Sequence, residues 1–289
     1  MRLASQLTTT LIALASAVSA EVWPRAHENG RVRDGIRKFV VGALEWFGGI
    51  GEFCVRLAKA VVTPPYEWRE LLRQMDEIGA KSLPLIILAG AAIGVISSLR
   101  TRGGLERFGA KSMLPALIIL SIINETGPII SALIASGRIG AGIGAELGSM
   151  RVTEQIDAIE ASAVNPYKFL AATRVIACML MLPLLTIVSD FCGIMTGWLT
   201  TALAEPMTLR LFLNYGFEQT TFQDFLPSTV KAVVFGFIIG VIGCFQGMRA
   251  KGGTKGVGRA STSAVVLSSL FVILADVVLV RLIMTVFEK

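Results

Sequence analysis

Charge is what this sequence has least of. Asp, Glu, Lys and Arg supply 17% of its 289 residues, against about 25% in ordinary soluble domains. The shortage is concentrated in long stretches with no charge at all, which excludes a domain solvated on every side. Histidine is nearly missing as well, with His27 the only one. The four cysteines, Cys54, Cys178, Cys192 and Cys244, stand far apart with no paired spacing. No metal site or redox pair is expected from that set. Three of the four thiols fall in apolar stretches that suit inert packing groups.

A nucleotide site is also missing. ATP-binding loops need a glycine-rich turn running straight into Lys-Ser/Thr. The nearest approach, GLERFGAKS from Gly104 to Ser112, is spoiled by the extra Ala110. Gly140, Gly142, Gly144 and Gly148 imitate a dinucleotide loop but follow an apolar run rather than a strand. Close helix approach or a flexible turn accounts for them better. The chain therefore has no catalytic machinery or cofactor site of its own.

What is present is apolar length. Hydrophobic residues make up 53% of the chain, and mean hydropathy is +0.67. A helix rises 1.5 Å per residue, so about 20 apolar residues cross the hydrocarbon. Five stretches qualify: 82–99, 113–137, 169–203, 226–247 and 264–287. The third is long enough to tilt, to kink at Pro183 or to extend beyond the bilayer. The net charge of +6 lies in short segments between these runs, where basic residues set orientation. Nucleic acid is not an expected partner.

Ahead of the spans come two other segments. The first twenty residues resemble a secretory signal, with Arg2, an apolar stretch from Leu11 and a small-x-small pattern at Val18-Ser19-Ala20. A start-site extension or a surface-lying segment is the alternative, and it suits the cytoplasmic N-terminus required below. After the polar stretch 28–34, Ile36, Val40, Ala43, Phe47, Ile50, Cys54, Leu57 and Val61 recur at steps of four and three. That spacing lines one face of a helix. Arg37, Lys38, Glu45, Glu52, Arg56 and Lys59 lie off the stripe, so this helix is too polar to span and is expected in the membrane interface. Pro64-Pro65 should end it. The expected organisation is an N-terminal extension, 1–34, an interfacial amphipathic region, 35–78, and a transmembrane domain, 79–289.

Loop charge gives the orientation. Arg249, Lys251, Lys255 and Arg259 stand without an acid between the fourth and fifth spans, which argues for the cytoplasm. The segment after the second span must then be cytoplasmic too. The loop 100–111 carries four basic residues and falls outside, against the statistical tendency.

That cytoplasmic segment is the most distinctive in the chain. Thr153 is a plausible helix N-cap, with Glu154 and Asp157 in the first turn, where the helix dipole favours anions. Val152, Ile156, Ile159 and Ala163 form a stripe, and Asn165-Pro166 should stop the helix. The stripe either meets a partner or packs on the protein's own spans. Four ionisable residues lie within the spans themselves: Glu125, Asp190, Lys231 and Asp276. A charge at the bilayer centre costs about 2.5–3.5 kcal/mol, so such residues face partners or a polar cavity, or form structural pairs such as Lys231 with an acid.

The run ETGPIISALIASGRIGAGIGAELGSMRVTEQIDAIEASAVNPYKFL, from Glu125, resembles the MlaE/YrbE permease family, and the likeness continues through VVFGFIIGVIGCFQGMRAKGGTKGVGRASTSAVVLSS, from Val233. The resemblance runs from about Trp68 to the C-terminus. It implies an all-α permease in the bacterial inner membrane, built as a second copy beside the first, with a cytoplasmic P-loop ATPase binding the ATP. A periplasmic MCE-domain protein would carry phospholipid between the membranes. The resemblance makes Thr153, Glu154, Gln155, Ile156, Asp157 and Ile159 the helix that couples to the ATPase. It also places Glu125, Lys231 and Asp276 at charged positions of the family's spans, with Glu125 near the lipid path. The family often has a basic residue just before this glutamate, where Asn124 stands here. The competing expectation is a channel or secondary transporter driven by an ion gradient, with Glu125, Asp190 and Asp276 as a relay.

Overall fold

A computed structural model describes residues 32–62, 67–105, 113–204, 207–218 and 222–287, all but a few of them helical. The signal-like residues 1–20, Pro64-Pro65 and residues 106–111 of the loop 100–111 lie outside the described residues. The chain divides into two units at Lys59 and Ala60.

The helix α1, Val32–Val62, carries the expected two-faced pattern. On it Glu52 and Arg56, one turn apart, form an exposed ion pair at 2.5 Å, and the rings of Trp46 and Phe47 meet edge to face.

The second unit holds five helices long and apolar enough to cross a membrane. The first, α2, is Trp68–Leu105 and runs unbroken through Pro84. It begins well before the expected start and continues across the boundary expected at 78/79. The second crossing is one continuous helix, Leu114–Val152. It comprises α3 (Leu114–Ser121), a π turn (Ile122–Thr126), α4 (Gly127–Ala135), a second π turn (Ser136–Gly140) and α5 (Ala141–Val152). The expected loop from 137 is therefore helical down to Val152. Close approach, not a flexible turn, explains Gly140 and Gly144, where a methyl would stand 3.2 Å from Ser268 Oγ and 3.0 Å from the Cβ of Ala264, whereas one on Gly142 would meet open space. A short helix, α6 (Gln155–Ala161), precedes a third π turn (Tyr167–Ala172) that leads into α7 (Thr173–Ala204). Pro183 sits inside α7 without ending it. Then come α8 (Leu209–Glu218), α9 (Phe222–Met248) and α10 (Gly253–Phe287).

In lipid, helices gain little from burying apolar surface against one another, so close backbone packing and polar contacts hold them. The α2–α7 seam shows this directly. Gln74, Ile78, Ser82, Ile86, Gly90, Gly94 and Ser98 recur at every fourth position of α2 and are buried. On α7, Ser189, Gly193, Gly197 and Thr201 repeat the spacing and are also buried. A methyl on Gly94 would lie 2.0 Å from the carbonyl oxygen of Gly193. Hydroxyls finish the seam: Ser98 and Thr201 pair at 3.0 Å, and Thr196 donates to the carbonyl of Ala91 at 2.9 Å. Outward, Leu85, Leu88 and Ile96 of α2 and Leu184, Ile187 and Phe191 of α7 are exposed, as lipid-facing residues must be.

Among the spans α9 is central, with 56% of its most apolar stretch buried against at most 44% elsewhere. The helix α8 was not expected, yet its signal is present: Leu209, Phe212, Leu213 and Gly216 share one face. Phe212 is fully buried with Ile118, Ile119, Ile122 and Ile194, and Gly216 closes on Ile119.

Candidate functional site

Mid-span chemistry begins with a proline. In an α-helix the carbonyl of Asn124 would accept from the N–H of residue 128, but Pro128 has none. The π turn around Ile122–Thr126 shifts the local bonding, so that the Gly127 N–H reaches the carbonyl of Ile122. Lys231, from α9, donates its ammonium to the Asn124 carbonyl at 3.1 Å. The same Nζ lies 3.4 Å from Oδ1 of Asp276 on α10. Lys231 is 3% exposed and Asp276 8%. Asp276 Oδ1 lacks a hydrogen bond of good geometry, so the pair attracts across a short gap instead of forming a tight bridge. Three spans are thus knotted by one buried cation.

Two of the three expected site residues meet here. The third does not: Glu125 is exposed on the surface of the single chain and forms no ion pair among the described residues. It ends a line of exposed residues, Met113, Leu117, Ser121 and Glu125, at four-residue steps. Asp190 stands apart from the knot. Its Oδ1 is buried without a partner and occupies the space where Gly127 would carry a Cβ. A groove of 350 Å³ between α2 and α7, with Met75, Leu83 and Met181 in its lining, includes none of these charges.

The segment between the second and third spans departs from expectation in its caps. Thr153 is not the N-cap of α6; it is the C-cap of α5, and its hydroxyl donates back to the Ser149 carbonyl at 2.9 Å. The N-cap is Glu154, in the left-handed region at φ 59°. Left-handed Ala163, at φ 60°, ends the helix. The N–H of Ala163 bonds to the carbonyl of Glu160 at 3.0 Å and that of Val164 to Ile159 at 3.2 Å, the paired bonds of a Schellman cap. Asn165-Pro166 therefore does not stop α6. It starts the next helix, with Asn165 Oδ1 accepting from the N–H of Tyr167 at 3.0 Å.

The apolar stripe of α6 is covered by the chain itself at its middle and left exposed at Ala163. Ile156 is 2% exposed and Ile159 half-buried, whereas Glu154, Gln155, Asp157, Ala158, Ala161 and Ser162 are exposed. Asp157 forms an ion pair with Arg151 in the last turn of α5. Near the end of α5, Ala250 packs beside Gly148, so α6 and the basic loop after α9 share one end of the bundle.

Sequence reasoning passed over Arg174 and Glu146. Arg174 is 2% exposed. Its Nη2 donates to Glu146 Oε1 at 2.7 Å and its Nη1 to the carbonyl of Leu170 at 2.9 Å.

The family model of permease MlaE matches residues 71–282. The chain belongs to the MlaE permease family. A probable ABC transporter permease protein of Rickettsia felis is 34% identical over 251 residues, 87% of this chain and 97% of that protein. One from Synechocystis is 35% identical over 208 residues, 72% of this chain and 79% of that protein. The protein TRIGALACTOSYLDIACYLGLYCEROL 1, chloroplastic, of Arabidopsis thaliana is 31% identical over 229 residues, 79% and 64% of the two chains. As an MlaE permease the chain is a multi-pass membrane subunit of an ABC transporter, a class that implies a partner ATPase and a dimer. The matched region contains the Lys231–Asp276 knot, Glu125 and α6 alike.

Proposed function

We propose that this permease moves phospholipids or related lipids between the bacterial inner membrane and an MCE-protein channel, powered by ATP bound on a separate ATPase. The observation that carries this reading is the exposure of Glu125 on a single chain. A carboxylate in the middle of a span is too costly to leave in lipid and faces a polar cavity or a partner. Two copies that bring their Glu125 faces together enclose such a cavity. The relative named for trigalactosyldiacylglycerol, a glycerolipid, supports a lipid cargo.

In this reading the end bearing α6 is cytoplasmic, since it shares that end with Arg249, Lys251, Lys255 and Arg259, unopposed by acids between them. The ATPase docks on α6, and α1 lies in the membrane interface. Closure of the ATPase dimer shifts a balance between two arrangements of the spans, and the cavity empties towards the MCE protein on the far side. The gradient-driven alternative has less support, because Asp276 is committed to Lys231 and is not free to exchange ions.

The test is purification from the native membrane in mild detergent, followed by reconstitution. Recovery of a P-loop ATPase and an MCE protein, with ATP-dependent transfer of labelled phospholipid that Glu125→Ala abolishes, is the expected result. A chain that arrives alone and transports under an ion gradient would overturn it.

A further inference from the structure

The Arg174–Glu146 pair, buried at its arginine and exposed at its carboxylate, lies beside the docking segment without belonging to it. Glu146 sits on α5, two turns before α6, and Arg174 follows the π turn that leads out of α6 into α7. The two residues are 28 positions apart, and everything between them is the excursion through α6. One guanidinium therefore ties the helix entering the excursion to the helix leaving it. The tie is asymmetric in burial, with 2% of the Arg174 side chain exposed against 41% for Glu146.

Its geometry is that of a rigid fitting. The planar guanidinium offers donors in fixed directions, and two are used at once, on Glu146 and on the Leu170 carbonyl. Leu170 lies within the π turn Tyr167–Ala172, where helical bonding is locally irregular and deformation is easiest. Thr173 braces the same turn by donating to the Phe169 carbonyl at 2.8 Å. Arg174 Nε is buried with no acceptor, so the site gives up one possible bond to hold the other two.

We propose that Arg174 and Glu146 are positioning residues that transmit movement of α6 to the spans. The pair makes α5, α6 and the root of α7 move as one piece, so that a push on α6 displaces two spans together instead of bending the loop. This inference rests on the ATP-driven reading above.

The experiment uses the intact complex with its ATPase, and reads lipid transferred per ATP hydrolysed. Glu146→Gln lowers that ratio by about tenfold, the scale of losing one charge-assisted hydrogen bond. Because it leaves a buried cation short of its counterion, the double variant Glu146→Leu/Arg174→Met is the decisive one. Replacing both members of an ion pair by apolar groups leaves no uncompensated charge on the buried side and is tolerated for folding. A merely structural pair would regain transport along with stability. A transmitting pair would regain assembly and ATP hydrolysis but not transfer per ATP, which is the expected result. A double variant that transfers lipid at the wild-type ratio overturns the proposal. So does one that loses the ATPase, since the pair would then be building the docking platform. Failure of the wild-type complex to couple ATP to lipid would instead count against the function proposed above.

Discussion

Lys231 and Pro128 are complementary across two spans: the proline withholds the N–H that the Asn124 carbonyl would otherwise receive, and the lysine supplies a donor there at 3.1 Å. A helix break and a buried charge, each unfavourable alone, satisfy one another. Asp276, 3.4 Å from the same ammonium, offsets its charge. Replacing Lys231 by Met strips both partners and is expected to destabilise by about 3–5 kcal/mol, the scale of breaking a buried ion pair from one side. Adding Pro128→Ala to that variant returns the helical N–H to Asn124 and should recover about 1 kcal/mol. Thermal unfolding in detergent measures both, and the absence of any recovery would show that the proline and the lysine are not linked.

The glycines predict opposite outcomes by position. A methyl on Gly94 meets the Gly193 carbonyl at 2.0 Å, while one on Gly142 meets nothing within 4 Å. Gly94→Ala forces α2 off α7 and should cost about 1–3 kcal/mol, as overpacking does. Gly142→Ala, inside α5 and unobstructed, should gain about 0.5–1 kcal/mol from reduced backbone freedom in the unfolded chain. Paired melting curves decide it, and equal effects would contradict the seam described above.

Five spans and the two-faced α1 could be read from the sequence because both follow from local periodicity and hydrophobic length. What escaped were features that depend on partners far along the chain. Gly140 and Gly144 left close helix approach and a flexible turn both open until a second helix was known to press on them, and here Ser268 and Ala264 of α10 do so. Thr153 has the chemistry of an N-cap, but a hydroxyl can equally bond back one turn, and which it does depends on where α5 ends. A pair between Lys231 and an acid could be expected, yet no spacing announces that the acid is Asp276. Arg174 and Glu146 carry no pattern of their own in the sequence, because their pairing depends on the fold that buries the arginine. The helix α8 was legible but overlooked, being amphipathic over only ten residues.

Ala163 closes α6 in a conformation that costs a residue with a Cβ about 1–2 kcal/mol. Glycine has no such penalty there. Ala163→Gly is therefore expected to tighten the cap, slowing hydrogen exchange of the Val164 amide, which bonds to Ile159, by about fivefold for each kcal/mol relieved. Unchanged or faster exchange would mean that the extra freedom of glycine in the open state outweighs the relief.

The inward turn of Ile156 changes how ATPase docking should be probed. A charge at Ile156, 2% exposed, would unseat α6 from the chain's own spans and lose the ATPase for a trivial reason. Ala158 is on the exposed side with Gln155 and Ser162, so a larger side chain there disturbs a partner and leaves the fold alone. Ala158→Arg is expected to keep the unfolding temperature of the isolated permease and to lower ATPase recovery in pull-downs by at least about tenfold, an interface loss of about 1.4 kcal/mol. A steric wedge in a well-packed interface readily reaches that size. Asp157→Asn, which loosens the tie to Arg151 but adds no bulk, should weaken recovery less. If Ala158→Arg binds the ATPase normally while Asp157→Asn does not, docking is governed by the acidic side of α6, and the face assigned here to the ATPase is the wrong one.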